Sequence, residues 1–154
     1  MAGTNSRPYF QLAIGYMEDV ASGKRPANKF ERLAVDRQIA DLQAENFSYT
    51  FSVEKAERAC KFIERMPHIK GKWGGKKLQL EPWQIFIITT IFGWIDAQGR
   101  RRFKTVYLEI PRKNAKSTLT SAVGLYLCFA DGEPGAEVYS AATTRDQADR
   151  KSVV

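Results

Sequence analysis

The stretch "FKTVYLEIPRKNAKSTLTSAVG", residues 103–124, decides how the chain is read. Residues 103–110 are β-branched and apolar enough for a buried strand. Residues 117–130 carry a helical pattern. Between them, "PRKNAKST" holds the Lys-Ser pair of a phosphate-binding loop, as Lys116 and Ser117, but Ile110 and Ala115 stand where G-x-x-x-x-G-K-[ST] has its glycines. Context favours such a loop. A buried strand runs into it and a helix opens from it, so successive backbone N–H groups and the positive helix end would converge on an anion. Lys116 would reach the β- and γ-phosphates, Ser117 would offer a hydroxyl to Mg²⁺ with Thr118 beside it, and Arg112 and Lys113 would add positive charge. A basic surface turn before a helix is the competing reading, and the residues of the loop leave the two level.

Outward from this stretch, the chain falls into two halves. Pro8 and Gly23 bracket a predicted helix over 8–22. A second is predicted over 27–45, with Asn28 as cap and Phe30, Leu33, Ala34, Ile39 and Leu42 near helical spacing. A third is predicted over 52–66, capped by Ser52, turning Val53, Ala56, Ala59, Cys60, Phe62 and Ile63 inward, and stopped by Pro67. "HIKGKWGGKKLQLEPWQ" (68–84) follows as an irregular basic connector. Pro82 then starts an apolar helix to about Ile95, and "DAQGRRR" turns at Gly99. After the central strand, loop and helix come a turn, a second short strand over 137–142 and the start of another helix. Strand–loop–helix–strand is one unit of a parallel sheet with a right-handed crossover. The expected class is therefore α/β, with a helical N-terminal region over 1–80 and, over 81–154, the start of a P-loop NTPase-type parallel sheet that needs further strands to cover it.

Charge points the same way. Residues 65–116 hold twelve Lys or Arg against three acids, a local net of +9, in a chain whose total is +7. A basic middle between near-neutral flanks fits a polyanion partner, because neutralised phosphates release counterions. A solvated basic face is the equal alternative. The longest apolar run, 85–95, is about half a membrane span, and no secretory pattern opens the chain. Cys60 and Cys128, far apart, read as buried free thiols rather than a disulfide or metal site.

"LEPWQ" (80–84) adds a Gln whose amide could both donate to and accept from an adenine edge. With "RLAVDRQIADL", the block from "KAERACKFIERMPHIKG" through "EPWQIFIITTIFGW", "GRRRFKTVYLEIPRKNAKST" and "GEPGAEVYSAATTRDQA" in this order, the chain from about residue 30 resembles the large subunit of tailed-bacteriophage terminases. That resemblance implies a DNA-packaging motor. Its phosphate loop, a Walker A variant of the form R-K-x-G-K-[ST], matches Arg112, Lys113, Asn114, Lys116 and Ser117, with Ala115 in place of the glycine. Gln84 would be the adenine-reading Gln of a Q motif, and Arg145 is a candidate for charge stabilisation, with a plain surface Arg the competing role. The implied cofactors are ATP and Mg²⁺. The implied partners are double-stranded DNA, a small terminase subunit, a portal protein and further copies in a homo-oligomeric ring. The implied place is the host cytoplasm at the procapsid portal, with no membrane. The resemblance also implies an acidic strand end that activates water and a C-terminal nuclease domain. Neither is spelled within these residues, so the chain alone is expected not to hydrolyse ATP at a useful rate. If Ala115 is left-handed, its Cβ is expected to weaken nucleotide binding roughly five- to thirtyfold. A nucleic-acid-binding or self-associating module without hydrolysis is the alternative function.

Overall fold

Punctuation residues set the helices of the computed structural model, which describes residues 7–67, 75–111, 114–132 and 137–139. Helix α1 (Tyr9–Ala21) starts at Pro8 and ends against Gly23, whose φ of 78° only glycine adopts freely. Helix α2 (Lys29–Gln43) is capped by the Asn28 side chain, which accepts from Glu31 N at 3.0 Å. Strand β1 (Thr50–Phe51) leads into α3 (Val53–Glu64), where Ser52 Oγ accepts from Lys55 N. Helix α4 (Pro82–Gly93) runs directly into strand β2 (Trp94–Ile95), and α5 (Lys116–Phe129) follows the loop. The five helices fall where their caps and periodicity predict them.

The described residues divide into two units, one within Met1–Lys61 and Leu80–Val106, the other within Phe62–Gln79 and Tyr107–Val154. In the first, α4 is apolar on every side and buried on nearly every side, as such a helix must be. It packs on α1, and the core joins Tyr16, Met17 and Val20 of α1, Val35 of α2 and Phe86 of α4. The Tyr16 hydroxyl donates to the Glu31 carboxylate, and burial together with that bond pushes its pKa well above the ordinary tyrosine value. Helix α2 turns inward through Val35 and Gln38, whereas Phe30 and Leu33 are exposed, contrary to the expected face. Val53 at the start of α3 is exposed too, while Ala56, Ala59 and Cys60 are fully buried.

A short antiparallel ladder pairs Thr50 with Ile95 and Phe51 with Trp94. Beyond it the chain turns at Asp96–Arg100 and comes back, with Arg102 N donating to Trp94 O at 3.0 Å. Partial burial opposes ionisation of Asp96, but bonds from the Arg100 and Gln98 N–H groups and the Arg100 guanidinium outweigh it and hold the carboxyl below its usual range. Two bonds tie this hairpin to α2. Trp94 Nε1 donates to buried Gln38 at 2.8 Å, and Arg102 pairs with Asp41 at 2.6 Å among the rings of Phe47, Tyr49, Trp94 and Phe103.

In the second unit, Phe62 meets Tyr126 of α5 edge-on, and Ile63, Leu119 and Ala122 are buried. Val138 lies against α5 closely enough that a methyl added at Gly124 would stand 3.3 Å from it. The fold is mixed helix and sheet, but the sheet is not the expected one. Among the described residues the only ladder is β1–β2, two strands long and antiparallel. The expected strand over 103–110 joins no ladder, and 137–139 of the expected second strand is likewise unpaired. A segment of strand composition becomes a strand only beside another, and Val106, Tyr107, Val138 and Tyr139 stand exposed here. Residues 140–142 and the helix expected from 143 lie outside the described residues. Cys60 is a buried thiol as expected, whereas Cys128 is exposed. Among the described residues no helix is long and apolar enough to cross a membrane.

Candidate nucleotide-binding loop

Five of the residues singled out in the sequence, Asn114, Ala115, Lys116, Ser117 and Thr118, form one loop-to-helix junction. Asn114 Nδ2 donates back to Pro111 O at 3.3 Å and closes the turn that carries the loop. Ala115 is the N-cap of α5 with φ 53° and ψ 20°, the only non-glycine residue with positive φ among those described. Its carbonyl already accepts the first helical bond, from Leu119 N at 2.9 Å. Thr120 Oγ1 bonds Lys116 O at 2.8 Å, and Leu119 is buried, so the first turn is held from inside.

What this leaves open is the outward end. No side chain caps α5 and its first turn contains no acid. The N–H groups of Lys116, Ser117 and Thr118, orphaned by the helix geometry, therefore carry the positive end of the dipole with no carboxylate to neutralise it. Lys116 and Ser117 are exposed and Thr118 is half-buried. A left-handed residue followed by helical ones turns successive N–H groups toward one point, which makes a concavity for an anion. An ammonium and a hydroxyl beside that concavity match a phosphate, and a hard divalent cation carried on it. Among the described residues no cluster of three or more His, Cys, Asp or Glu could hold a metal by itself.

The other expected site residues stand apart from this junction. Arg112, Lys113 and Arg145 lie outside the described residues. Gln84 lies in the first unit, the junction in the second. Gln84 is buried at 6% exposure, not a surface residue, and its Oε1 accepts from Glu81 N at 2.9 Å. Glu81 and Gln84 form a reciprocal capping box at the head of α4. The pattern E-x-x-Q with Pro82 between was legible as a helix start. The Asn114–Pro111 brace was not, because nothing in the letters says which acceptor an Asn side chain finds.

A loop that ends in a left-handed residue and opens into a helix headed by Lys-Ser has the form of the phosphate-loop class. Residues 82–151 match the family described as terminase large subunit, ATPase domain. This part of the chain, with Gln84, the loop and Arg145 inside it, belongs to that family. No curated protein and no solved structure matches the chain.

Proposed function

We propose that residues 111–118 bind the phosphates of ATP with its Mg²⁺, and that the chain serves as the nucleotide-binding part of a motor that drives double-stranded DNA into a procapsid. The observation that carries this reading is the left-handed Ala115 placed directly before Lys116 and an uncapped, acid-free helix start, inside the stretch that matches an ATPase domain. In this reading the N–H groups of Lys116, Ser117 and Thr118 hold phosphate oxygens. The Lys116 ammonium neutralises the β- and γ-phosphates, with Arg112 and Lys113 adding charge. The Ser117 hydroxyl is the one protein ligand proposed for Mg²⁺, whose remaining positions are taken by phosphate and water. When bound, the metal bridges the terminal phosphates and offsets their charge. Arg145 is proposed to stabilise charge at the same phosphates. The following strands would complete a parallel P-loop sheet on the segment 103–110.

The family supports nucleotide use and DNA packaging in general. We extend it to assembly with a small terminase subunit and a portal protein, and to a ring of copies at the procapsid. Equilibrium titration with Mg·ATP tests the nucleotide step. Lys116→Ala is expected to lose at least tenfold in affinity while helix content stays unchanged. Equal affinity in the two proteins would sink the assignment.

A further inference from the structure

We infer that the proposed nucleotide site accepts purine nucleoside triphosphates without choosing between adenine and guanine, because Gln84 is committed to capping α4. The inference rests on the nucleotide-binding reading above and narrows what that site recognises.

The argument is an inventory of one amide. Adenine and guanine both present N7 as an acceptor. They differ at the neighbouring atom, where adenine has the N6 amino donor and guanine the O6 acceptor. A glutamine prefers adenine only if its carbonyl accepts from N6 while its amino group donates to N7. In this chain the Gln84 carbonyl oxygen already accepts from Glu81 N at 2.9 Å, and the residue is 6% exposed. That bond satisfies one of the orphan N–H groups at the start of α4, the helix on which the core of the first unit is built. Turning the carbonyl toward a base would strip the cap and leave a buried N–H unpaired. The Gln84 amino group can still donate, but a donor alone meets N7 of either purine and O6 of guanine equally well. Selection then falls on the phosphates, where Lys116, Ser117 and the α5 N–H groups see the same triphosphate on both.

The test compares ATP and GTP on the whole chain in three forms, wild type, Gln84→Glu and Lys116→Ala, with helix content checked for each. Gln84→Glu keeps an oxygen for the Glu81 N–H, as in an ordinary capping box, and removes the only donor. Expected are dissociation constants for ATP and GTP within about threefold of each other in wild type, and the same ratio in Gln84→Glu. A paired amide contact to adenine would instead give a preference of about tenfold to a hundredfold. A wild-type preference for ATP of tenfold or more overturns the inference, and its loss in Gln84→Glu would make Gln84 the base reader. Binding of neither nucleotide, or binding indifferent to Lys116→Ala, overturns the nucleotide reading and this inference with it. Lys116-dependent binding with a strong ATP preference overturns the inference alone, so the two failures are distinct.

Discussion

Replacing Ala115 by glycine should make the protein more stable and leave its nucleotide affinity almost unchanged. Ala115 sits at φ 53°, a region that costs an L-residue with a Cβ about 1 kcal/mol or slightly more. Glycine removes that cost but brings a more flexible unfolded chain, which returns roughly half of the gain. The net is about 0.5–1 kcal/mol of stabilisation. For a chain of this length that is roughly 2–4 °C in melting temperature. Bonds internal to the chain hold the turn, from Leu119 N to Ala115 O and from Asn114 to Pro111 O. The strain is therefore charged to folding and not to binding. A five- to thirtyfold loss of affinity would require the left-handed turn to form only around the phosphate. The assay is urea denaturation followed by helix circular dichroism, beside Mg·ATP titration of the same proteins. Ala115→Asn should fall between glycine and alanine, and Ala115→Val below alanine, because branching at Cβ aggravates the left-handed clash. A glycine variant that is less stable than wild type, or that binds tenfold tighter with unchanged stability, would refute the reasoning.

Gly93→Ala should cost about 1–3 kcal/mol, since the new methyl would stand 2.4 Å from Phe51 Cε2 and that ring is stacked against Phe10 and Trp94; a urea midpoint unmoved by the change would mean the ring yields freely. Arg102→Ala should cost about 3 kcal/mol, because it leaves Asp41 half-buried without its partner and empties the space among four rings; denaturation of wild type and variant measures it, and a loss below about 1 kcal/mol would make the pair a surface ornament. The Asp96 carboxyl titrates below its unfolded value, so its contribution is present above the unfolded pKa and fades as pH falls through the folded one. Asp96→Asn, which keeps an acceptor for the turn, should flatten the acid side of the stability–pH curve, and an unaltered curve would show the turn bonds to be indifferent to the charge.

The helices were legible because their ends are written in single residues. Asn28, Ser52, Pro82 and Gly23 each do at the backbone what their chemistry predicts. The inward face of α2 was misread at Phe30 and Leu33. Helical spacing marks a stripe, but the side that is buried is chosen by Tyr16, Phe86 and Trp94, residues far away in sequence. Strands β1 and β2 were missed for a related reason. Two residues each carry no period, and they exist because Thr50 and Phe51 meet Ile95 and Trp94 across more than forty positions. The reverse error fell on 103–110, where strand composition is strong and no neighbour among the described residues completes a ladder. At the candidate site, Lys116 and Ser117 were legible as a motif. The left-handed turn before them was not, since alanine is the last residue one would choose for it on propensity. Its presence is what turns a doubtful spelling into a geometry with a purpose.

Amide chemical-shift mapping with Mg·ATP tests the central claim most directly, because it asks which N–H groups meet the phosphates. The account predicts that the largest shifts fall on Asn114 through Thr118, and that Lys116→Ala suppresses them. Shifts confined to other parts of the chain, or none at saturating nucleotide, would contradict it.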